Sequence, residues 1–247
     1  MADEDKFLTI EDGVVTECEK SATEIAIPEG VTEIGEEAFS ECKSLVGITI
    51  PNSVTKIGTR AFFKCKSLAS ITIPGSVTEI GYAAFIDCWS LASITIPNSV
   101  TKIGKEAFMA CQSLASITIP NGVTEIGYRA FYGCRSLASI TIPDSVTEIG
   151  DGTFLECKSL ASITIPNGVT EIGICAFSFC TSLAEITIPN SVTEIDIGAF
   201  EYCRSLAEIR FGGTKAQWKA VEKGEYWNNG VPANTVHCTD GETQLTL

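Results

Sequence analysis

The sequence predicts an α/β solenoid, a fold in which short repeats stack into one elongated body. Prolines recur at intervals of 23 residues, at Pro28, Pro51, Pro74, Pro97, Pro120, Pro143, Pro166 and Pro189. Eight phenylalanines from Phe39 to Phe200 and eight cysteines from Cys42 to Cys203 keep the same interval. A fixed period of this length is typical of repeat proteins, in which each unit buries its apolar side chains against its neighbours.

The third unit, residues 74–96, illustrates the elements predicted for each repeat. The preceding segment, 70–73, alternates polar and β-branched apolar residues and predicts a half-buried strand, which Pro74 ends because proline has no amide hydrogen. Val77 and Ile80 predict a second, short extended segment, and Gly81 permits a tight corner. The spacing of the next apolar residues predicts a short helix or 3-10 turn, with one buried face made of Ala84, Phe85, Cys88 and Leu91.

The repeats predict one continuous domain with a cap at each end. Residues 1–27 are expected to form an N-terminal β cap, residues 28–211 eight repeats, and residues 212–247 a C-terminal cap with one helix and a short strand. Thr214 and Gln217 have the spacing of a helix capping box, and Trp218 and Trp227 are expected to cover the last core layer. Asp196 replaces the corner glycine of the last unit, which predicts a strained or differently shaped turn.

The composition excludes several classes of protein. A hydrophobic fraction of 45% is ordinary for a folded chain, so the sequence is not expected to be disordered. A formal net charge of −14 disfavours binding to nucleic acid and to anionic membrane surfaces. The chain has no run of 18 apolar residues, and its first residues are acidic, so we expect no transmembrane helix, no signal peptide and no anchor in this sequence.

The cysteines and the single histidine give little support for catalysis. The eight cysteines of the repeats are predicted to be buried free thiols, whereas Cys18, Cys175 and Cys238 lie outside that column and are the candidates for chemistry. His237, near Cys238 and Asp240, is expected to have a structural role. Because no phosphate-binding glycine motif and no nucleophile beside a general base is visible, the sequence predicts no enzyme, no cofactor and no metal site.

The repeat itself is the basis of a family resemblance. The unit Ile-Pro-Asn-Ser-Val-Thr-Lys-Ile-Gly-x-x-Ala-Phe-x-x-Cys-x-Ser-Leu-x-x-Ile-Thr resembles the BspA-type, or Treponema-type, leucine-rich repeat. The stretches Gly-Thr-Lys-Ala-Gln-Trp and Thr-Val-His-Cys-Thr-Asp-Gly are similar to the end cap of such bacterial proteins, so the resemblance covers residues 7–245. It implies a right-handed leucine-rich-repeat superhelix with the shape of a horseshoe or arc. It also implies cell-surface or secreted proteins that bind host proteins, matrix or other cells, without common catalytic residues.

Comparison of the units with one another indicates where a binding surface would lie. The outward threonine of the strand is nearly constant, whereas positions around the predicted helical turn vary and include many aromatic residues. Aromatic residues and methionine are enriched where proteins bind partners. The candidate binding residues are Tyr82, Trp89, Met109, Tyr128, Tyr132, Phe179 and Tyr202, and Tyr82, Trp89, Tyr128 and Tyr132 are expected to form one patch. The alternative is that these are solvent positions free to vary, with a half-buried column following the phenylalanines.

Several functions are compatible with this organisation. The favoured prediction is a monomeric, non-catalytic module that binds a protein or a surface glycan, in adhesion or host interaction at the cell surface. The alternative is a structural scaffold, or an engineered consensus array, without a specific ligand. Two minor alternatives use regular side-chain arrays: ice binding by the Ser and Thr residues of the strands, and calcium binding by the acidic series Glu125, Glu148, Glu171 and Glu194.

Overall fold

Each 23-residue unit folds as one coil of the chain, and successive coils stack on one another. The computed structural model describes residues 4–245, in which ten coils are stacked: eight from the repeats and one from each cap. Every coil contributes a two-residue strand or its equivalent to one row, which is divided into a seven-stranded and a four-stranded sheet. Most coils contribute a second strand of three or four residues to another row, which is divided into four sheets. The chain is therefore a solenoid, as the period predicts, but a β-solenoid and not the predicted α/β solenoid.

The elements alternate regularly along the chain. A 3-10 turn, Glu4–Phe7, precedes the strands, and the only α-helix in residues 4–245 is α1, Lys215–Ala220, between β19 and β20. The strands are β1 Leu8–Glu11, β2 Val14–Cys18, β3 Glu24–Ala26, β4 Glu33–Ile34, β5 Gly47–Thr49, β6 Lys56–Ile57, β7 Ser70–Thr72, β8 Glu79–Ile80, β9 Ser93–Thr95, β10 Lys102–Ile103, β11 Ser116–Thr118, β12 Glu125–Ile126, β13 Ser139–Thr141, β14 Glu148–Ile149, β15 Ser162–Thr164, β16 Glu171–Ile172, β17 Glu185–Ile188, β18 Glu194–Ile195, β19 Glu208–Phe211, β20 Glu222–Lys223, β21 Thr235–Cys238 and β22 Gly241–Gln244.

The strands of neighbouring coils pair in parallel, with identical positions opposite each other. Ile57 of β6 pairs with Ile80 of β8, and Ile71 of β7 pairs with Ile94 of β9. Within residues 4–245, antiparallel pairing occurs only at the two ends, in the hairpins β1–β2 and β21–β22. This register places each inward side chain directly over its copy in the coil below, so the core consists of columns of one residue type.

The phenylalanine column is the centre of that core. Eight rings from Phe39 to Phe200 are fully buried, and successive centroids lie 5.1 to 5.7 Å apart with interplanar angles between 1° and 17°. The repeat cysteines and leucines form parallel columns that are equally buried, and the repeat cysteines are free thiols, as predicted. Each coil thus buries apolar surface that it could not bury alone.

The segment after each corner glycine is a series of turns, so the prediction of a helix or 3-10 turn in every repeat is not confirmed. Two residues per unit, four apart, adopt left-handed backbone angles; in the third unit they are Ala83 at φ 57° and Asp87 at φ 58°. A helix needs consecutive right-handed residues, and a left-handed residue interrupts it. The apolar spacing that predicts a helical face also fits successive three-residue turns, which explains the error.

Backbone hydrogen bonds in this turn segment alternate between the coil itself and its neighbour. The amides of Ile86 and Cys88 bond within the coil to carbonyls three residues earlier, at 3.2 and 3.3 Å. The amides of Ala83, Phe85 and Asp87 donate to carbonyls of the next coil, at 2.8 to 3.0 Å. The turns of neighbouring coils are therefore joined by a ladder of their own, and this ladder takes the place of helical hydrogen bonds.

The corner glycines allow the coils to approach closely. A Cβ atom at Gly104 would lie 2.6 Å from the carbonyl carbon of Gly81 in the preceding coil. Asp196 occupies the same position in the last repeat without a positive φ, and its amide bonds to Ile172 at 2.8 Å, as the corner glycines do. Its carboxylate accepts the Ile197 amide at 2.7 Å, so the prediction of a differently shaped corner is not confirmed.

Both caps close the core with side chains that the sequence identifies. The N-terminal hairpin turns at Asp12 and Gly13, both with positive φ. Helix α1 begins with the capping box of Thr214 and Gln217, and Trp218 and Trp227 are nearly fully buried. The Trp227 ring meets Phe200 edge-on at 6.2 Å and therefore covers the last member of the phenylalanine column.

Candidate binding surface

The most prominent candidate residues lie in a column that follows the corner glycines. We call it the edge column; its members are Glu36, Thr59, Tyr82, Lys105, Tyr128, Asp151, Ile174 and Ile197, one per coil. Tyr82 is 41% exposed and Tyr128 is 36% exposed. Lys105 of the intervening coil separates them, and with strands ~4.8 Å apart the two rings belong to coils about 10 Å apart. They thus share one edge of the solenoid.

Positive side chains lie over several of these rings. The Arg129 guanidinium is 4.8 Å from the Tyr128 centroid and 5.7 Å from that of Tyr132. Arg60 lies 5.8 Å from the Tyr82 ring, whose hydroxyl donates to Glu106 at 3.2 Å. Cation–π contacts of this kind favour a fixed orientation of the ring relative to the cation. The edge column therefore presents aromatic rings that have positively and negatively charged side chains beside them.

Trp89 lies outside the edge column that contains Tyr82 and Tyr128. It follows Cys88 and belongs to a column that is otherwise polar and largely basic: Lys43, Lys66, Gln112, Arg135, Lys158, Thr181 and Arg204. Lys66 Nζ lies 3.7 Å from the Trp89 centroid, and the indole nitrogen donates to Asp87 at 3.0 Å. Within residues 6–245, no ring–ring contact joins Trp89 to the tyrosines. The four favoured residues thus occupy at least two columns of the same turn face.

The other candidates are less accessible or lie further along the solenoid. Met109 and Tyr132 follow phenylalanines and are half-buried, in the same column as Ile86, which is 8% exposed. Phe179 is exposed and meets the half-buried Tyr202 at 4.9 Å, near the C-terminal end. The structure therefore brings Tyr128 and Tyr132 together through Arg129, and Phe179 and Tyr202 together, as two separate groups.

The candidate list derived from the sequence omits four exposed apolar residues, of which Val46, 48% exposed, lies outside the turn segment, next to β5. Ile174 and Ile197, 41% and 46% exposed, continue the edge column, and Tyr226 in the C-terminal cap is 66% exposed. Tyr226 has a left-handed φ of 57°, and the Asn229 and Gly230 that follow complete a turn segment like that of the repeats. At 222–227 the motif Glu-Lys-Gly-x-x-Trp matches the Glu-Ile-Gly-x-x-Ala motif of the repeats. This match is the sequence signal for an additional turn segment in the C-terminal cap.

A cleft interrupts the row of two-residue strands in the middle of the molecule. The row stops at β12 and resumes at β14, and a cavity of about 680 Å³ lies there, lined by Tyr128, Glu125, Glu148, Asp151 and Glu171 among others. The Phe131–Phe154 spacing at this junction, 5.7 Å, is the widest of the column. Thr153 stands where seven other units have alanine, and its buried hydroxyl donates to Gly150 at 2.7 Å. The larger side chain and the widest ring spacing thus coincide at the junction where the strand row is interrupted.

Charges along the two-residue strands follow the pattern of the sequence. Glu33 pairs with Lys56 at 2.8 Å, and Lys102 with Glu125 at 3.1 Å, whereas the strands from Glu125 to Glu194 carry only acids. Burial, and then repulsion by Glu148 and Glu194, raises the pKa of Glu171 above its ordinary value of 4.5. In residues 6–245 no group of three potential metal ligands is close enough to hold an ion.

Replacing Glu171 by glutamine should stabilise the protein at neutral pH by about 0.5 kcal/mol, because it removes a like-charge contact between neighbouring strands. A carboxyl whose pKa is raised on folding lowers stability above that pKa, and the penalty disappears as the pH falls towards 4.5, its unfolded value. Melting temperatures of wild type and Glu171→Gln should differ at pH 7 and converge near pH 4. Glu33→Gln, which removes the partner of Lys56, should show no gain at pH 7; equal gains in both variants would contradict the prediction.

The strand face carries the regular hydroxyl array predicted from the sequence. Ser70 and Thr72 lie opposite Ser93 and Thr95, and the same pairing recurs at Ser116 and Ser139. The array ends where Glu185 lies opposite Ser162, and beyond it Arg210 lies opposite Thr187. The hydroxyl rows are therefore confined to the middle coils.

Comparison with known families identifies the family to which this repeat belongs. The model of the BspA type Leucine rich repeat region matches residues 8–134 and 101–220, in 6 copies. The chain belongs to the BspA-type leucine-rich repeat family. Among curated proteins, none matches the sequence. In this BspA-type chain, none of the helices in residues 4–245 is long and apolar enough to cross a membrane.

Solved structures similar to this BspA-type chain come from bacteria. A leucine-rich cell surface protein of Faecalibacterium prausnitzii is 36% identical, with a TM-score of 0.56; the match covers 81% of this chain and 62% of that protein. A leucine-rich repeat protein of Bacteroides ovatus is 31% identical, with a TM-score of 0.71, over 92% of this chain and 67% of that one. The T. pallidum leucine-rich repeat protein is 34% identical, with a TM-score of 0.65, over 72% and 88%.

Proposed function

We propose that this chain is a non-catalytic binding module that holds a protein or a surface glycan, in adhesion or host interaction at a bacterial cell surface. The observation that carries the proposal is the set of large apolar side chains exposed on the turn face: Tyr82, Trp89, Tyr128, Ile174, Phe179, Ile197 and Tyr226. Isolated exposed apolar residues are common, but a recurrence along one face is the usual mark of an interaction surface.

The geometry suits recognition by stacking and hydrogen bonding. Tyr128 and Trp89 each have a cation near the ring, at 4.8 and 3.7 Å from its centroid, and are 36% and 42% exposed. Aromatic side chains held in this way lose little conformational entropy when a partner binds, and tyrosine, tryptophan and arginine dominate binding energy in protein interfaces. Rings of this kind also stack on sugar faces, which makes a glycan the second partner class.

Relatives support the cellular setting. The Faecalibacterium protein is described as a cell surface protein, and this chain spans 62% of its length. A location at the cell surface for this chain, and adhesion as its role, are proposals that rest on that similarity and on the exposed aromatic residues.

A binding assay with matched variants tests the proposal. The protein is screened against purified extracellular matrix proteins and a glycan array, and any bound partner is measured again with Tyr82, Trp89, Tyr128 and Tyr132 changed to alanine. Loss of two or more hot spots should weaken binding at least about tenfold. The control variant changes four strand-face residues, Thr95, Thr118, Thr141 and Thr164, to alanine.

The outcomes separate the alternatives. Weaker binding only in the aromatic variant, with an unchanged melting temperature, supports the turn face. Weaker binding only in the threonine variant moves the site to the strand face. Absence of binding by the wild type to every protein and glycan overturns the proposal and favours a structural scaffold.

A further inference from the structure

The repeat cysteines are held in a regular way that isolates each thiol. From Cys65 onward, each Sγ donates to the carbonyl oxygen of the phenylalanine in the preceding coil, at 3.0 to 3.2 Å, in seven successive bonds. Burial raises the pKa of these thiols, for example to about 12 at Cys134 and Cys203. They are therefore protonated, inaccessible and bonded to a carbonyl.

The first thiol of the column has a different environment. The coil below Cys42 is the N-terminal cap, which supplies Cys18 at the end of β2 instead of a phenylalanine carbonyl. Cys42 Sγ donates to the Cys18 carbonyl oxygen at 3.7 Å, and Cys18 Sγ donates to the Glu19 carbonyl oxygen at 3.6 Å. Both residues are fully buried. Within residues 6–245, no other cysteine Sγ is hydrogen-bonded to a second cysteine.

The contact differentiates the two sulfur atoms. The hydrogen bond with Cys18 lowers the pKa of the Cys42 thiol, whereas the same bond, followed by burial, raises the pKa of Cys18. Lys20 contributes a positive charge that favours the thiolate at both sites, and its ammonium group donates to the Ser40 carbonyl at 2.6 Å. Cys42 is thus the better nucleophile, and Cys18 lies in position to react with it.

We propose that Cys18 and Cys42 form a disulfide that joins the N-terminal cap to the first repeat when the protein is exposed to hydrogen peroxide. The Cys42 thiolate attacks one peroxide oxygen, the O–O bond breaks, and with one proton water leaves and a sulfenic acid remains on Cys42. The Cys18 sulfur, losing its proton, then attacks the Cys42 sulfur and displaces the sulfenic hydroxyl as a second water molecule. Two thiols are oxidised and one peroxide is reduced.

The position of the pair allows access by a small oxidant. The turn over the pair, residues 19–22, carries the exposed Lys20 and Ser21 and is fixed by the Glu19 amide, which donates to Phe7 at 2.8 Å. Because both cysteines are fully buried, peroxide reaches the sulfur atoms through local opening of this turn. The cross-link closes a loop between residues 18 and 42 and so restricts fraying of the cap.

Peptide mapping under non-reducing conditions tests the proposal. Trypsin cleavage after Lys6, Lys20 and Lys43 gives one peptide whose only cysteine is Cys18 and another whose only cysteine is Cys42. After peroxide treatment, mass spectrometry should find these two peptides joined, with the mass of two hydrogens lost. The melting temperature should rise by about 5 °C or more and return on reduction with dithiothreitol.

Three variants distinguish the outcomes. Cys18→Ala and Cys42→Ala should abolish both the joined peptides and the melting shift, whereas Cys65→Ala, which removes the neighbouring thiol of the column, should keep them. Joined peptides between Cys18 and any other cysteine, or overoxidation of Cys42 without a link, would overturn the proposal. Cys18 and Cys42 peptides that stay reduced while the half-buried Cys175 and Cys238 are oxidised would overturn it as well.

Discussion

Replacing Phe108 by alanine should lower the free energy of unfolding by about 3 to 5 kcal/mol, the range measured for large aromatic residues removed from packed cores. Its ring is fully buried and stacked on both sides, 5.4 Å from Phe85 and 5.5 Å from Phe131. The cavity would lie in the middle of the column, where the rigid backbone ladders on both sides limit collapse. Denaturant unfolding followed by circular dichroism measures the loss.

The matched control is a phenylalanine outside the column. Phe179 is 38% exposed, so Phe179→Ala should cost less than about 1 kcal/mol. A loss for Phe108→Ala as small as that of the control would mean that the phenylalanines do not form the central column. A change in the slope of the denaturation curve would instead indicate that the two halves unfold separately.

Gly104→Ala is the second substitution with a large expected effect. The new Cβ would lie 2.6 Å from the carbonyl carbon and oxygen of Gly81, and 2.8 Å from the Tyr82 amide nitrogen. All three are backbone atoms, so the contact can be relieved only by moving the coils apart. The expected loss is about 1 to 3 kcal/mol, the usual cost of overpacking, measured in the same unfolding experiment.

Gly75→Ala provides the control for this substitution. Gly75 lies in a turn outside the stack, no atom is within 4 Å of a Cβ there, and its φ does not require glycine. That variant should be neutral or more stable by a few tenths of a kcal/mol, because alanine reduces the entropy of the unfolded chain. If Gly104→Ala and Gly75→Ala changed the free energy of unfolding equally, the prediction would be wrong. Neighbouring coils could then move apart to accept a side chain at a corner, as they accept Asp196.

The sequence was sufficient for the architecture because the architecture is a repetition. Phe39 and Phe62 occupy the same place in their units, so a fixed period implies a column of rings even if the conformation between them is unknown. The cap helix was also predictable, because Thr214 and Gln217 carry a local capping signal. In both cases the determining information lies within one or two repeats.

Features that depend on backbone handedness or on contacts between different columns were not predictable. Ala83 and Asp87 carry no sign of their left-handed conformations, since neither residue type requires them, and the apolar spacing around them favours a helix. The interruption of the strand row between β12 and β14 coincides with Thr153, where the other units have alanine, and it is visible only when the coils are stacked. Trp89 and Tyr128 are only two units apart in sequence order but belong to different columns.

The one-to-one pairing of neighbouring coils has a consequence for how such genes change. Because every interior coil offers the same bonding groups above and below, an unequal recombination event that removes or duplicates whole units leaves each new junction as well matched as the old ones. An event that inserts or deletes even one residue within a unit would change the register of neighbouring coils. A corner glycine would then lie opposite a side chain, and a thiol would lie opposite the wrong carbonyl. Length should therefore vary among natural relatives in whole units, whereas a cap should be present at each end of the solenoid whatever its length.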